Sequence, residues 1–405
     1  MCEYAFNELC RPRPDWPGEE HAFLKDSDML DFHRSLPGYD PTPLYELPAL
    51  AFRLGLGAIS VKDESKRFNI KAFKALGASY AMYRFLKKQW QSRFTTPFTP
   101  AGFQDVGTLA KLGQFTFCAA TDGNHGRAVA WTAKKLGQKA VIYMPADSVE
   151  ARVENICGEG AEVVLVTGTF DDCVQRCADD AAKNDWQAIS DTAYARYREI
   201  PGWILLGYTS IFAELEGVLH KPDQAGVDVV ILPAGVGGLA AAGAFYYSKN
   251  YGKKRPVLIC VEPVSSDCFL ESVRFGKGEA LPTRGKQTSI MAGLNCGVPS
   301  PLAWPIVRDA MHFFLAVGDE YAEQAMRRYY HPLGTDPRIV SGESGSSGLA
   351  ALLALTGSEK LSSVHSKLPL GPDARVLLLN TEGDTDPVNF QKIVKDEQSQ
   401  ELGDA

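Results

Sequence analysis

A lysine at the predicted start of a helix is the residue of this chain best suited to covalent chemistry. Lys74 follows a charged turn, and apolar residues recur after it at Leu76, Tyr80 and Tyr83, the spacing of one helical face. The positive end of the helix macrodipole would lie beside its ammonium group, which makes the side chain easier to deprotonate. A neutral amine is what Schiff-base formation with a carbonyl cofactor requires. Lys74 alone also fits a solvated lysine on a surface helix.

A second motif is TDGNHGR, residues 121–127, which lies between a predicted strand and a predicted helix. Gly123 allows a tight turn, and Asn124 offers both a donor and an acceptor at the end of the strand. Backbone N–H groups at the start of the next helix are suited to hold a carboxylate. Ordinary turn chemistry also explains these residues, with Asp122 as an acceptor for backbone N–H groups.

A glycine-rich loop, AGVGGLA at residues 234–240, follows the predicted strand 227–232. Such a loop between a strand and a helix presents backbone N–H groups to a phosphate. The same residues fit G-x-G-x-x-A, and Glu262 follows at the end of the next predicted strand, as in a dinucleotide-binding fingerprint. This segment therefore leaves a nicotinamide-dependent oxidoreductase open as an alternative, although that alternative does not explain Lys74 or Asn124.

The elements that position these motifs alternate between strands and helices. The predicted strands are the apolar runs 58–62, 115–119, 140–144, 162–166, 227–232, 257–261 and 376–379. The helical patterns between them include 126–136, 170–183, 238–249 and 347–355. This alternation predicts an α/β fold with parallel sheets covered by helices on both faces. Its ligand sites are expected at the strand ends.

Composition excludes several classes of function. A chain of 405 residues with 45% hydrophobic and 22% charged residues is long enough for two ordinary globular domains. The net charge of -7 argues against nucleic acid and anionic membranes as partners. Nine cysteines without a CxxC pair predict a reducing compartment, here the cytoplasm, although Cys268 and Cys296 are candidates for a pair. The seven histidines show no zinc spacing, so no metal is expected.

The order of these motifs resembles the fold-type II pyridoxal-phosphate enzymes, such as serine and threonine dehydratases, serine racemases and the tryptophan synthase β chain. Within that superfamily the chain is most similar to the diaminopropionate ammonia-lyases. The motifs that carry this resemblance are KDESKRF at 62–68, AFK at 72–74, ATDGNHGR at 120–127, IMAGLNCG at 290–297, DPRIVSGESG at 336–345 and NTEGDTD at 380–386. They cover nearly the whole chain.

The resemblance implies a fold and a cofactor. The fold would consist of two open parallel-sheet α/β domains with pyridoxal 5'-phosphate in the cleft between them. The large domain would comprise residues 1–90 and 199–405, and the small domain, residues 91–198, would carry the Asn124 loop. The resemblance also implies a homodimer that acts on a small amino acid.

The roles of individual cofactor-binding residues follow from the resemblance too. Lys74 would be the Schiff-base lysine, and Asn124 would bond the ring hydroxyl of the cofactor. Thr381 would place its hydroxyl against the pyridine nitrogen, which leaves that nitrogen unprotonated and suits prompt loss of a leaving group. Glu343 would lie beside the ring, with the start of a helix as its alternative partner. The phosphate would be held by Gly235, Val236, Gly237, Gly238 and Leu239.

Two aspartates narrow the range of possible substrates. A carboxylate at Asp122 would repel the carboxylate of a serine-like substrate, whereas a β-ammonium group would be attracted to it. In the family, the aspartate at this position is a base for the D isomer of 2,3-diaminopropionate, and the lysine is the base for the L isomer. Asp191, in SDTAY, matches a second aspartate that would bind the same ammonium, although it also fits a cap for the segment that follows.

The predicted reaction is therefore α,β-elimination of 2,3-diaminopropionate to pyruvate and ammonia. A β-replacement enzyme or a serine/threonine dehydratase on the same scaffold stays open as an alternative. The number of substrates needed for product formation separates β-replacement from elimination.

Overall fold

The computed structural model describes residues 1–16, 19–25, 28–194, 196–221 and 226–395. Its strands are β1 (Cys2–Phe6), β2 (Leu44–Glu46), β3 (Ala58–Asp63), β4 (Thr116–Ala120), β5 (Lys139–Pro145), β6 (Glu162–Val166), β7 (Gln187–Ala188), β8 (Val229–Pro233), β9 (Val257–Pro263), β10 (Phe313–Val317) and β11 (Arg375–Asn380). Each predicted strand is present, within two residues of its expected ends.

Helices alternate with these strands. They are α1 (Met29–Ser35), α2 (Pro48–Arg53), α3 (Lys74–Gln91), α4 (Val106–Leu112), α5 (Asn124–Lys135), α6 (Glu150–Gly158), α7 (Phe170–Asn184), α8 (Glu199–Tyr208), α9 (Ser210–Ala213), α10 (Gly238–Tyr251), α11 (Cys268–Phe275), α12 (Ala303–Ala310), α13 (Asp319–Tyr330), α14 (Ser347–Gly357), α15 (Ser362–His365) and α16 (Pro387–Lys395). Short 3₁₀ turns cover Glu19–Lys25, Glu64–Asn69, Gly252–Lys254, Ala292–Leu294 and Glu359–Leu361.

The first of two compact units comprises the described parts of Met1–Trp16, Thr42–Lys66 and Glu214–Ala405. Its sheet has the strand order β1-β10-β9-β8-β11-β3-β2, with parallel pairing from β10 to β3 and an antiparallel strand at each edge. The central strand β8 (VVILP) is buried along its whole length, as expected for a parallel strand covered on both faces. Buried side chains of α13 and α14 pack with the sheet in one core.

The second unit comprises the described parts of Pro17–Pro41 and Arg67–Ala213. Its sheet is parallel throughout, in the order β6-β5-β4-β7. Helix α7 covers this sheet with Cys173, Cys177 and Ala181, and it begins with a capping box between Thr169 and Asp172.

Two glycines allow helices α3 and α8 of the second unit to pack closely. A Cβ atom on Gly77 would lie 2.5 Å from Cε1 of Tyr208, and one on Gly207 would lie 2.4 Å from the carbonyl oxygen of Leu76. Neither contact leaves room for a larger residue. This close approach brings Tyr208 to the start of α3, where Lys74 lies.

The two units differ from the predicted domains, because residues 17–41, 67–90 and 199–213 belong to the second unit. The physical reason is the packing of α3 against both α5 and α8, which ties that helix to the smaller sheet. The boundaries at 90 and 199, which the resemblance implies, stay a prediction for the folding domains.

All nine cysteines lie in described segments and none of them is in a disulfide bond, so Cys268 and Cys296 are not joined. Within the described residues, no helix is long and apolar enough to cross a membrane.

Candidate active site

Lys74 is the first residue of α3 and belongs to an ion pair of the second unit. Its Nζ atom lies 2.6 Å from Oδ2 of Asp191, and both side chains are about one-fifth exposed. The amine also lies 5.4 Å from the ring centre of Phe73 and 6.0 Å from that of Tyr208. The structure therefore brings together two predicted site residues that are 117 positions apart in the sequence.

The loop that carries Asp122 and Asn124 connects the end of β4 to the start of α5. The hydroxyl of Thr121 accepts hydrogen bonds from the backbone N–H groups of Gly123 and Gly126, at 3.0 and 3.1 Å. Gly123 has φ +150°, a conformation that favours glycine. Asn124 is the first residue of α5, so the loop ends at a helix N-terminus, as predicted.

Asp122 and Asp191 differ in their affinity for a proton. Burial raises the pKa of Asp122 to about 6, with Arg152 and Lys74 acting in the opposite direction and Asp191 adding to the rise. Burial also acts to raise the pKa of Asp191, but the net shift is downwards, chiefly because of the neighbouring charge of Lys74. Two carboxyl groups with opposed shifts are typical of sites that perform acid–base chemistry.

His125 is also a member of this cluster, although its place in the sequence indicates only part of a turn. Its Nε2 atom lies 2.6 Å from the carbonyl oxygen of Ile189, so this nitrogen carries the proton and donates it. Its Nδ1 atom has no hydrogen-bond partner among the described residues and lies 3.9 Å from Oδ2 of Asp191. Burial lowers the pKa of His125. A neutral imidazole beside Asp191 therefore leaves the Lys74–Asp191 pair as the charged contact.

The predicted phosphate loop lies in the first unit, between β8 and α10. Gly237 has φ +96°, and a Cβ atom there would lie 2.3 Å from Cζ of Phe269. A Cβ atom on Gly235 would lie 2.9 Å from the carbonyl oxygen of Gly293. The carbonyl oxygen of Val236 accepts a hydrogen bond from the backbone N–H of Ser300 at 3.0 Å. Gly238 begins α10, and the neighbouring Leu239 is buried.

This loop fits a phosphate group. Its backbone approaches neighbouring chain segments more closely than any side chain would permit, and it leads into the N-terminus of a helix of 14 residues. Backbone N–H groups and the helix dipole at such a terminus favour an anion.

Glu343 and Thr381 lie in two connecting segments of the first unit. Thr381 directly follows β11 and is buried. Glu343 lies four residues before α14, which begins at Ser347 and not at Glu343 as the helix alternative requires. The Glu343 carboxylate accepts a hydrogen bond from the side-chain amide of Asn389. Glu343 therefore lies outside the first turn of the helix.

Glu262 does not play the part that a dinucleotide fingerprint assigns to it. Its two carboxylate oxygens accept hydrogen bonds from the backbone N–H groups of Phe269 and Leu270, each at 2.9 Å. The side chain is fully buried, and burial raises its pKa to about 8. The residue therefore caps α11 from inside the first unit, which argues against the oxidoreductase alternative.

Known proteins place this chain in one family. Residues 36–367 match the family of pyridoxal-phosphate dependent enzymes. The chain is 39% identical to the diaminopropionate ammonia-lyase of Salmonella typhimurium, over 91% of each chain. It is 40% identical to the diaminopropionate ammonia-lyase of Escherichia coli K12, over 90% of this chain and 89% of the relative.

Solved structures agree with this placement. Diaminopropionate ammonia lyase from Escherichia coli in complex with D-serine matches with a TM-score of 0.86 and 36% identity, over 98% of each chain. A threonine deaminase from Solanum lycopersicum shares the fold at 18% identity, with a TM-score of 0.72 over 96% of this chain and 91% of its own. These findings confirm the predicted fold class and the predicted cofactor. The chain belongs to the family of pyridoxal-phosphate-dependent enzymes and, within it, to the diaminopropionate ammonia-lyases.

Proposed function

We propose that the protein eliminates ammonia from 2,3-diaminopropionate and releases pyruvate. The observation that carries this proposal is the cluster of Lys74, Asp122 and Asp191, in which one carboxyl group is far more basic than the other. The names of the relatives support the same substrate. In the overall reaction, one molecule of substrate and one of water yield pyruvate and two molecules of ammonia.

Pyridoxal phosphate, when bound, supplies the electron sink that accepts the pair left by the departing α-proton. Gly235, Val236, Gly237, Gly238 and Leu239 would hold its phosphate. Thr381 would donate its hydroxyl towards the pyridine nitrogen, and Glu343 would lie beside the ring. Asn124 would bind the ring hydroxyl, and Lys74 would be the amine that holds the cofactor covalently until the substrate amine takes its place.

The proton from Cα would be taken by a different base for each isomer. Lys74, once it is a free amine, would accept the proton of the L isomer. Asp122 would accept the proton of the D isomer, and a carboxylate with a pKa of about 6 suits this task near neutral pH. The D-serine bound by the Escherichia coli relative supports access of D amino acids to such a site.

Asp191 would bind the β-ammonium group of the substrate. It already binds an ammonium group at 2.6 Å, that of Lys74, and this charge is the chief cause of the downward shift of its pKa. The β-ammonium group of the substrate would act on Asp191 in the same way when Lys74 is neutral. Such a carboxylate attracts the second ammonium group of a diamino acid, and serine carries no such group.

The test is pyruvate release from each enantiomer of 2,3-diaminopropionate, with L-serine for comparison and no second substrate. We expect both enantiomers to be converted far faster than L-serine. Pyruvate from L-serine alone would contradict the proposal in favour of a dehydratase. If a second nucleophilic substrate were required for any product to form, β-replacement would be the activity.

The phosphate assignment gives a prediction for Gly237. Replacing Gly237 with alanine is expected to weaken binding of pyridoxal phosphate about tenfold or more, because strain and overpacking each cost about 1–3 kcal/mol and 1.4 kcal/mol is a factor of ten. Cofactor retained after dialysis, measured by its visible absorbance, checks this. Gly278→Ala is the control, since Gly278 has φ +100° but open space around its Cα. Equal cofactor loss in both variants would contradict the assignment.

We also propose that the enzyme is a cytoplasmic homodimer. Nine cysteines outside any disulfide bond are in keeping with a reducing compartment. A mass in solution of twice the 44.2 kDa of one chain, measured by light scattering, is the expected result.

A further inference from the structure

Arg152, near the start of α6, lies across the loop that carries Asp122. A Cβ atom on Gly123 would lie 3.2 Å from Cδ of Arg152, so the aliphatic part of this side chain covers the glycine. At its other end, Nη1 donates a hydrogen bond to the backbone carbonyl oxygen of Asp122 at 3.4 Å. One side chain thus contacts two successive residues of the loop, including the backbone of the residue assigned as a base.

Several charged groups surround the Asp122 carboxyl group. Those that act on it most are Arg152 and Asp147 from the β5–α6 region, Lys74 from α3, and Asp191 from the segment after β7. Burial raises the pKa of the Cys173 thiol of α7 to about 11, and the charge of Asp122 adds to this rise, so the thiol stays neutral. His125 is neutral as well, because burial lowers its pKa.

Of the two cations in this set, only Arg152 keeps its charge throughout the proposed reaction. Lys74 must be a neutral amine to hold the cofactor or to accept a proton. A guanidinium group is not deprotonated in proteins. When Lys74 is neutral, two aspartates repel the charge of Asp122 and Arg152 alone attracts it.

We propose that Arg152 is the positioning residue for Asp122: it holds the Asp122 peptide through its carbonyl oxygen and keeps the neighbouring carboxylate ionised, and it thereby extends reaction of the D isomer to lower pH. This inference rests on the proposed function of Asp122 as the D-isomer base. The L isomer, whose proton goes to Lys74, does not depend on Arg152 in this way.

The test compares Arg152→Gln with the parent holoenzyme in the pH profile of kcat/KM for each isomer. The lower limb of the profile for the D isomer is expected to move up by about one pH unit, since an opposite charge nearby lowers a carboxyl pKa by about 1–3. The limb for the L isomer is expected to stay in place. Arg152→Lys keeps a cation at this position and is expected to restore most of the D-isomer limb.

Two further variants separate this effect from a general loss of structure. Asp147→Asn removes a negative charge near Asp122 without touching the loop, and it is expected to move the D-isomer limb downwards. Lys139→Gln removes an exposed cation of the same unit and is expected to leave both limbs unchanged. A D-isomer limb that stays in place in Arg152→Gln, or an equal change for both isomers, would overturn the proposal.

A titration that needs no catalytic turnover tests this inference independently of the proposed function. Aspartate labelled with ¹³C at the side-chain carboxyl reports the titration of Asp122 in the holoenzyme, with its signal identified by its loss in Asp122→Asn. A higher midpoint in Arg152→Gln than in the parent is expected, and an unchanged midpoint refutes the role of Arg152. If the parent released no pyruvate from the D isomer, the proposed function would fail while this titration still decided the inference.

Discussion

Replacing Lys74 with alanine is expected to lower pyruvate release from both isomers of 2,3-diaminopropionate by about 10³-fold or more. The variant loses the amine that holds the cofactor covalently and also the base for the L isomer, and positioned proton transfer alone contributes about 10²–10⁴-fold. Initial rates of pyruvate formation at saturating cofactor measure the effect for each isomer.

Because Lys74 forms an ion pair with Asp191, a second variant that keeps a cation at this position is needed. Alanine leaves a carboxylate that is only one-fifth exposed without the cation at 2.6 Å, so a loss of activity could reflect a disturbed loop. Lys74→Arg keeps a cation for Asp191, but a guanidinium can neither hold the cofactor nor accept a proton. Both variants are therefore expected to be inactive, while Lys66→Ala, which removes an exposed lysine, keeps the parent rate.

Borohydride reduction gives a direct reading of the same assignment. In the parent protein, reduction is expected to fix the cofactor on the peptide that contains Lys74, as peptide mass measurement would show. Attachment to a different lysine, or substantial activity in Lys74→Arg, would contradict the role of Lys74.

Local sequence was sufficient to predict those strands and loops whose own residues indicate their structure. Strand β8 and the first five residues of β9 are continuous apolar runs because both faces of these strands are covered, so composition alone located them. Lys74, Asp122 and Asn124 lie in short motifs at the ends of elements, where the change from one structure to the next marks them.

The same reasoning could not predict contacts between residues that are distant in the sequence. Strand β1 pairs antiparallel with β10, which lies more than 300 residues further along the chain, and no local pattern specifies that partner. Spacing likewise did not pair Lys74 with Asp191, and nothing near Arg152 in the sequence links it to Asp122. Each of these contacts depends on how helices and loops pack once the sheets have formed.

Replacing Asp122 with asparagine is expected to lower pyruvate release from the D isomer by about 10²–10⁴-fold and to leave the L isomer near the parent rate. Asparagine preserves the size of the side chain and one acceptor oxygen, but it cannot accept a proton at neutral pH. In the parent, the D-isomer rate is expected to fall as the pH drops below about 6, because the pKa of Asp122 is raised to about 6 and the acid form is no base. Rates for both isomers across this pH range are the measurement.

The selectivity between isomers is what makes this experiment decisive. A structural role for Asp122, such as holding the turn before α5, would affect both isomers alike, because the same loop carries Asn124 at the cofactor. Asp185→Asn provides a control with the same change of charge in the same unit, at an exposed residue whose φ of +56° asparagine tolerates well. Equal losses for both isomers in Asp122→Asn would therefore assign the residue to the loop and not to the proton transfer. A loss confined to the D isomer, with its pH dependence below 6 abolished, leaves a base at Asp122 as the consistent account.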